Sequence, residues 1–337
     1  MVLTRFGGPE VLELRDVASP EPGPGEVVVD VAAVSLNNTD VWTRAGAYGT
    51  TEPAGWLGPI DFPRVQGADV CGHVARIGEG VSEDLLGQRV LIDPVVRYSD
   101  GPERLVESVL GSEVDGGYAE QVVVRADRVH DVTGSPLSDE QLACLPISYG
   151  TATGMLERAN VGSGETILVT GASGGVGLAL VGLAAARGAR VIALSSRDKA
   201  AAVQEAGADV VVDRGGGDVG EQLADLVPAG LDAVADVVGG GLVAVAMPHV
   251  RPGGRWVVAG AVSGPVIELD LRQLYLRSIS LLGSTMHTPE QFEVLVSAAR
   301  AGQVRPVVAR TFPLEEVRAA HEEFERREHV GKLVLQP

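Results

Sequence analysis

The feature that most constrains this chain is a glycine-rich turn between a strand-like run and a helix-like run. Residues 166–177 read Thr-Ile-Leu-Val-Thr-Gly-Ala-Ser-Gly-Gly-Val-Gly, and an apolar, alanine-rich stretch follows. This is a G-x-G-x-x-G pattern with alanine in the first glycine place. Small residues let backbone approach a phosphate, and a helix N-terminus offers free N–H groups to an anion. The position of the turn predicts a dinucleotide site formed by Thr170, Ala172, Ser173, Gly174, Gly175, Val176 and Gly177.

The pattern of residues changes along the chain. Residues 1–130 are rich in Val, Gly and Pro, and short strand-like runs such as 26–34 and 87–92 alternate with turns, as in a β-barrel-like domain. The capping-box sequence Ser138-Asp-Glu-Gln141 then precedes alternating strands and helices. These segments are 166–170, 176–187, 190–195, 198–206, 209–212, 219–227, 231–237 and 255–260. The alternation predicts an α/β fold with a doubly wound parallel sheet.

The carboxy-terminal part differs again from this middle region. Its pattern predicts helices near 288–301 and 314–327 and a closing strand at 332–335. Two dissimilar ends therefore flank one α/β region. We expect one domain to be built from the first and last parts of the chain, with the other domain inserted between them.

Composition excludes several classes of function. The net charge of −18 disfavours nucleic acids and anionic membranes, which both require basic surfaces. Two cysteines, Cys71 and Cys144, do not suffice for a disulfide framework, so a reducing compartment is the simplest setting. The sequence shows neither a secretory signal nor an uninterrupted apolar span. We expect a cytoplasmic protein.

The ordered motifs resemble those of the medium-chain dehydrogenase/reductase family, in its zinc-lacking quinone oxidoreductase and enoyl reductase branch. Besides the glycine turn, the matching segments are 6–12, 22–27, 37–40, 44–48, 116–120, 231–239 and 252–255. The resemblance implies a Rossmann sheet inserted into a GroES-like β-barrel catalytic domain. It places residues 1–124 and 284–337 in the discontinuous catalytic domain, and residues 125–283 in the Rossmann NADP-binding domain.

The resemblance also carries an informative departure. Zinc-dependent alcohol dehydrogenases of the superfamily have cysteine at the position of Asn37, Gly-His-Glu at Gly67-Ala68-Asp69, and cysteine at the position of Ile147. None of these thiolate or imidazole ligands is present here. The segment 93–116, where relatives carry a structural zinc lobe, contains no cysteine. Because a catalytic zinc needs about three such ligands, we expect no metal.

The choice of nicotinamide cofactor depends on the second predicted strand. NAD-binding Rossmann proteins place an acidic residue about 20 residues after the glycine turn to bind the ribose. Here the corresponding residues are Ser195, Ser196, Arg197, Asp198 and Lys199. Two hydroxyls and two cations suit a 2′-phosphate, which favours NADPH over NADH. Alternatively, Arg197 and Lys199 are solvated at a helix start.

Without zinc, hydride transfer is easier to a conjugated acceptor, whose developing charge is delocalised. By resemblance, Tyr48 matches the proton donor of medium-chain enoyl-thioester reductases, although plain packing is an equal alternative. Asn37 is either a hydrogen-bond donor to the substrate carbonyl or a turn-capping residue. Asp40 and Asp69 are candidate orienting residues. The candidate substrate pocket comprises Trp42, Trp56 and Asp69, with an ordinary core role open for Trp42.

The histidines carry weaker expectations. His73 is predicted to be a packed strand position, and His287 either touches a ligand or lies at the surface. His321 and His329 fall in a highly charged helix and are predicted to face solvent.

The sequence thus predicts an NADPH-dependent reductase of an enone, enoyl thioester or quinone. A zinc-free alcohol dehydrogenase and a catalytically quiet NADPH-binding interaction protein remain alternatives. By analogy with the family, an apolar edge strand at Ser278–Gly283 predicts a homodimer.

Overall fold

The computed structural model describes residues 1–49, 52–102 and 104–337. The chain forms two compact units, residues 1–147 with 288–337, and residues 148–287. The inserted arrangement follows the expected order, but residues 125–147 and 284–287 lie in the opposite units from those predicted. Residues 125–147 join the first unit because a strand and a helix in this segment pack on its sheet.

The amino-terminal part of the first unit is mostly β-structure. Its strands are β1 Val2–Leu3, β2 Leu12–Glu13, β3 Glu26–Ser35, β4 Asp69–Ile77, β5 Arg89–Ile92, β6 Val95–Tyr98, β7 Val106–Val109, β8 Gln121–Arg125 and β9 Val129–Asp131. Its helices are α1 Asn38–Ala45 and α2 Asp139–Ala143. Helix α2 begins at the predicted capping box, where Gln141 N donates to Ser138 Oγ at 3.3 Å and Ser138 N donates to Gln141 Oε1 at 3.1 Å.

The second unit is a parallel sheet with helices between its strands. Helix α3, Pro146–Arg158, leads into it. Its strands are β10 Thr166–Val169, β11 Arg190–Ser195, β12 Val210–Asp213, β13 Leu231–Asp236, β14 Val250–Val258 and β15 Ser280–Gly283. Its helices are α4 Gly175–Ala186, α5 Ala200–Glu205, α6 Val219–Leu226, α7 Leu242–Ala246 and α8 Leu271–Tyr275. Leu168, Ile192, Val234 and Trp256 belong to its buried core.

The strand order in this sheet is β12-β11-β10-β13-β14-β15, and every neighbouring pair is parallel. Chain order therefore reverses between β10 and β13. This is the doubly wound topology that the sequence predicts. In sheets of this kind, ligands bind outside the carboxyl ends of the strands at the reversal point.

The chain then returns to the first unit through α9 Pro289–Arg300, β16 Val308–Pro313, α10 Val317–Arg326 and β17 Lys332–Gln336. Strand β17 pairs antiparallel with β3, which also pairs with β4 and β8. The last strand of the chain is thereby joined to the first long one, and Val29, Leu36, Val70 and Leu333 share one apolar core. Among the described residues, no helix combines the length and apolarity needed to cross a membrane.

Candidate functional site

The glycine turn lies at the carboxyl end of β10, as predicted, and α4 begins at its end. Gly171 has a φ of +57°, and a Cβ on Gly177 would lie 2.1 Å from Gly171 O, so both positions require glycine to build the turn. Gly174 is different, because the nearest atom to a Cβ there would be 3.6 Å away. The exposed space above Gly174, in front of the N-terminus of α4, fits a pyrophosphate.

Thr170 lies just before this turn, and its side chain points into the protein. Its hydroxyl donates to Asp236 Oδ1 at 2.7 Å and accepts from Val237 N at 3.0 Å, and Thr170 is fully buried. The hydroxyl of Thr170 is therefore used within the fold, which differs from the predicted direct contact with a dinucleotide.

The end of β11 gathers the residues predicted to select the cofactor. Ser195 is buried, and its hydroxyl has no hydrogen-bond partner among the described residues. The Arg197 side chain is 83% exposed and its Nε lies 3.0 Å from Asp213 Oδ2. A further cation, the exposed Arg214, is held beside them because its N–H donates to Ser195 O at 2.9 Å.

Sequence reasoning missed Arg214 because it follows the next strand, and only the pairing of β11 with β12 brings the two strand ends together. The cations Arg197, Lys199 and Arg214 near the end of β11 provide charge that suits an anion such as a 2′-phosphate, with the buried Ser195 hydroxyl beneath the strand end. The Asp213 carboxylate offsets part of this positive charge.

In the first unit, Asn37 and Asp69 belong to a buried polar network with Lys332. Asp69 Oδ2 accepts from Asn37 Nδ2 at 2.9 Å, Ser35 Oγ at 2.8 Å and Lys332 Nζ at 3.1 Å, and Asp69 Oδ1 accepts from Ile147 N at 2.7 Å. Lys332 Nζ also donates to Asn37 Oδ1. Since lysine only donates and a carboxylate only accepts, the amide orientation of Asn37 is fixed by its neighbours.

This network changes the interpretation of two predicted residues. The second amide hydrogen of Asn37 faces Ser35 O at 3.4 Å, so its amide group is fully engaged by protein atoms. Asp69 is fully buried and accepts four hydrogen bonds, so its carboxylate is used within the fold; it does not line an open pocket as predicted, and it orients Asn37 instead. The arrangement favours a positioning role for Asn37 over donation to a substrate.

The positions that match zinc ligands do not fit a zinc ion. The side-chain amide of Asn37 is hydrogen-bonded to its neighbours. Ala68 has only a methyl group, and Ile147 has an alkyl side chain. Asp69 is the one carboxylate there, and Lys332 already neutralises it. Within the described ranges, no three His, Cys, Asp or Glu side chains are grouped to hold a metal ion. These donors lack the three nitrogen, sulfur or carboxylate ligands that catalytic zinc requires.

Asp40 lies beside this network, at the start of α1. Its Oδ2 accepts from Asn37 N at 2.7 Å, and burial, with the nearby charge of Asp69, raises its pKa to about 7. The same burial, together with Asp40, raises the pKa of Tyr118 well above its usual value. Asp40 thus orients the backbone of Asn37, which is consistent with its predicted orienting role.

The predicted aromatic residues of the first unit lie together. The Tyr48 ring centroid is 5.3 Å from that of Trp42 and 6.2 Å from that of Trp56, and the Tyr48 and Trp56 rings are only 17° from parallel. All three are half-buried. Burial raises the pKa of Tyr48 above its ordinary value, so the phenol keeps its proton.

The expectations for His321 and His73 are wrong, and of the two alternatives for His287 the surface position is wrong. His321 is fully buried on the inner face of α10, where Arg44 Nη1 lies 2.9 Å from its Nδ1, and its pKa falls to about 3 because of burial and the Arg44 charge. His73 is exposed on β4 and does not pack. His287 is buried against Gly150, where a Cβ would lie 2.2 Å from its Nδ1. His329 is half-buried.

Comparison with known proteins covers both units. The family described as alcohol dehydrogenase GroES-like domain matches residues 23–134, and the family described as zinc-binding dehydrogenase matches residues 175–301. An acryloyl-coenzyme A reductase from Metallosphaera sedula is 32% identical over 334 residues, which cover 96% of each chain. A quinone oxidoreductase from Sus scrofa is 31% identical over 349 residues, covering 98% of this chain and 95% of that protein.

Among solved structures, a candidate alcohol dehydrogenase from Sinorhizobium meliloti 1021 is 42% identical, with a TM-score of 0.95 and coverage of 100% of this chain and 95% of the other. The shared fold, the glycine turn and these full-length similarities agree. The chain therefore belongs to the medium-chain dehydrogenase/reductase family of oxidoreductases, in its quinone oxidoreductase and enoyl reductase branch.

Proposed function

We propose that this protein is a zinc-independent, NADPH-dependent reductase of an activated C=C bond or a quinone. The observation that carries the proposal is the network of Asn37, Asp69 and Lys332, which occupies positions matching zinc ligands with groups that do not bind zinc. Without a Lewis acid, hydrogen-bond donors must stabilise the negative charge that hydride transfer creates. An enone, enoyl thioester or quinone delocalises that charge over its conjugated system, so a few hydrogen-bond donors are enough to stabilise it.

The residues of the second unit fit the cofactor. NADPH would supply the hydride. The space above Gly174 and the N-terminus of α4 would hold its pyrophosphate, and Ser195, Arg197, Lys199 and Arg214 would bind its 2′-phosphate. NADH lacks that phosphate and would leave the Ser195 hydroxyl unpaired.

The aromatic group of the first unit supports a proton-donor role for Tyr48. Its raised pKa keeps the hydroxyl protonated across the working pH range, and an enolate is basic enough to take that proton. Trp42 and Trp56 fix the ring on two sides and offer flat apolar surface to a conjugated substrate. The names of the relatives, an acryloyl-coenzyme A reductase and a quinone oxidoreductase, support the same substrate classes.

A zinc-free alcohol dehydrogenase is the second candidate, because the similar Sinorhizobium meliloti protein is described as an alcohol dehydrogenase. Steady-state NADPH oxidation with quinones, enones and enoyl thioesters, beside NAD(P)⁺ reduction with alcohols, separates the two. Turnover of alcohols alone would contradict the proposal. Metal analysis of the purified protein should give well under one zinc per chain, and stoichiometric zinc would overturn the ligand argument.

We also propose that the protein is a homodimer through the edge of the parallel sheet. Among the residues that the structure describes, strand β15 pairs with β14 alone, and Leu281 on this strand is 43% exposed. Tyr275 and Leu276, just before it, are 66% and 70% exposed. An apolar edge strand invites pairing with a second copy. Light scattering should show a dimer, and Leu281→Lys should yield a monomer; a monomeric parent protein would contradict this.

A further inference from the structure

We propose that Asp236 is a positioning residue for the bound dinucleotide. Its carboxylate connects the loop after β13 to the end of β10 by hydrogen bonds. It thereby fixes the backbone position of two segments, one on each side of the point where strand order reverses. The inference rests on the proposed dinucleotide site, and it concerns the part of that site common to NADPH and NADH.

The Asp236 carboxylate is fully buried and accepts from four donors. Oδ1 accepts from Thr170 Oγ1 at 2.7 Å, Val238 N at 2.8 Å and Gly239 N at 3.1 Å. Oδ2 accepts from Trp256 Nε1 at 3.2 Å. A buried carboxylate is costly unless its oxygens are hydrogen-bonded. Here the donors come from the loop after β13, from Thr170 at the end of β10 and from Trp256 on β14.

The loop after β13 has an unusual backbone conformation that its hydrogen bonds hold in place. Gly239 and Gly240 both have positive φ angles, +64° and +60°, which place two successive residues in the left-handed region. Asp236 holds the N–H groups of Val238 and Gly239, and the Thr170 hydroxyl holds that of Val237. The first three amides after the strand are thus fixed by one linked pair of side chains.

This loop packs directly against the glycine turn. A Cβ on Gly171 would lie 3.0 Å from Val237 Cγ2 and 3.2 Å from Val238 Cγ2. The turn begins one residue after Thr170, and the loop begins one residue after Asp236. The hydrogen bond between these two side chains therefore sets the spacing between two backbone segments at the reversal point, where dinucleotides bind in such sheets.

The test compares variants by their affinity for both dinucleotides. Asp236→Asn keeps the shape but turns one acceptor oxygen into a donor. We expect it to weaken binding of NADPH and NADH alike, by about tenfold or more, because bonds to a buried charge are strong. Fluorescence titration of each dinucleotide measures this. Arg197→Ala and Arg214→Ala should instead change NADPH affinity alone.

Variants at Thr170 test the same link without touching the charge. Thr170→Val removes the hydroxyl and should weaken the binding of both dinucleotides. Thr170→Ser keeps the hydroxyl, so its affinities should lie within about twofold of those of the parent protein. Trp256→Phe removes the bond to Oδ2 but leaves the bonds of Oδ1 to the loop and to Thr170; it also reduces core packing, so it should lower the unfolding temperature while leaving dinucleotide affinity near that of the parent protein. If Asp236→Asn does not fold, the comparison of Thr170→Val with Thr170→Ser tests the inference by itself.

A second measurement reports the loop itself, with no dinucleotide present. Hydrogen exchange of the segment 237–241 should be faster in Asp236→Asn and Thr170→Val than in Thr170→Ser. Unchanged exchange and unchanged affinity in both altered variants would overturn the inference. A preference for NADH in the parent protein, or absence of reductase turnover, would contradict the proposed function while leaving the Asp236 comparison valid for the dinucleotide that binds.

Discussion

Lys332 and Asp69 form a buried ion pair, with Nζ 3.1 Å from Oδ2 and side chains only 5% and 0% exposed. Strand pairing brings them together. Asp69 begins β4 opposite Ser35 of β3, and Lys332 begins β17, whose residue Val334 lies opposite Ser35 on the other edge of the same strand. The pair therefore forms where three strands meet, beside Asn37 at the start of α1.

Removing the ammonium should be strongly destabilising. In Lys332→Met, Asp69 loses its counter-charge but stays buried, and we expect the free energy of unfolding to fall by about 3–5 kcal/mol. Chemical denaturation measures this change. The matched control is Arg272→Met, which removes an exposed ion pair with Asp270 and should leave the free energy of unfolding nearly unchanged. Equal, small losses in both variants would show that the buried pair contributes little.

Much of the second unit could be predicted because its signals are local. The glycine turn and the alternation of strands with helices each depend on consecutive residues, as does the capping box at Ser138 in the first unit. The predicted strand at 231–237 and helix at 176–187 agree with β13 and α4 to within a residue or so. Short helices such as α7 and α8 have too few turns for a periodic pattern to reveal them.

The network around Asp69 could not be predicted in the same way. Its members come from four distant segments, and each looks ordinary in its own surroundings. Lys332 is predicted only as the first residue of the closing strand, although a lysine at the start of an otherwise apolar strand is a usable signal for a buried ion pair. His321 was misread because the many charges of α10 hid its inner face, where Val317 and Ala320 are also buried.

Gly174 and Gly177 should respond differently to alanine. A Cβ on Gly177 would collide with Gly171 O, so Gly177→Ala should lower the unfolding temperature and dinucleotide affinity together. Gly174→Ala leaves ordinary contact distances within the protein, so the variant should unfold near the parent temperature and bind NADPH more weakly. Thermal unfolding with fluorescence titration checks both. Full NADPH affinity in Gly174→Ala would argue against a phosphate at this position.

Arg214 should distinguish the two nicotinamide cofactors. Its backbone N–H donates to Ser195 O, so Arg214 lies at the same end of the sheet as Arg197, and the proposal assigns both to the 2′-phosphate. We expect Arg214→Ala to raise the Kd for NADPH by about tenfold and to leave that for NADH unchanged, since a charged hydrogen bond is lost only with the phosphate present. Arg272→Ala, on an exposed helix of the same unit, is the control. An equal loss for both cofactors would exclude phosphate recognition by Arg214.

His321 should make the protein less stable in acid. The folded state holds its pKa near 3, below the ordinary 6.5, so the unfolded chain takes up the proton first as pH falls. The contribution of neutral His321 to the free energy of unfolding is complete above pH 6.5 and is lost as the pH falls from 6.5 towards 3. We expect about 1 kcal/mol less stability at pH 5.5 than at pH 7.5 from this residue.

Asp40 should have the opposite effect on the pH dependence of stability, making the protein more stable as the pH falls. Its pKa is raised to about 7, so its protonated form is favoured by folding and its contribution grows as pH falls from 7 towards 3.8. Denaturation at several pH values should show the stability difference between parent and His321→Asn shrinking in acid, while that between parent and Asp40→Asn grows. Parallel pH curves for all three proteins would contradict both assignments.

Tyr48→Phe tests the proposed proton donor. The variant keeps the ring that packs between Trp42 and Trp56 but loses the hydroxyl, so we expect kcat for NADPH oxidation to fall by about 100-fold or more, with NADPH affinity unchanged. Trp56→Phe is the matched control, because it alters the packing and keeps the hydroxyl; it should raise KM more than it lowers kcat. Since the pKa of Tyr48 is raised, the parent kcat should show no loss from its ionisation up to pH 9. Equal kcat values for Tyr48→Phe and the parent protein would reduce Tyr48 to a packing residue and leave the proton source to solvent.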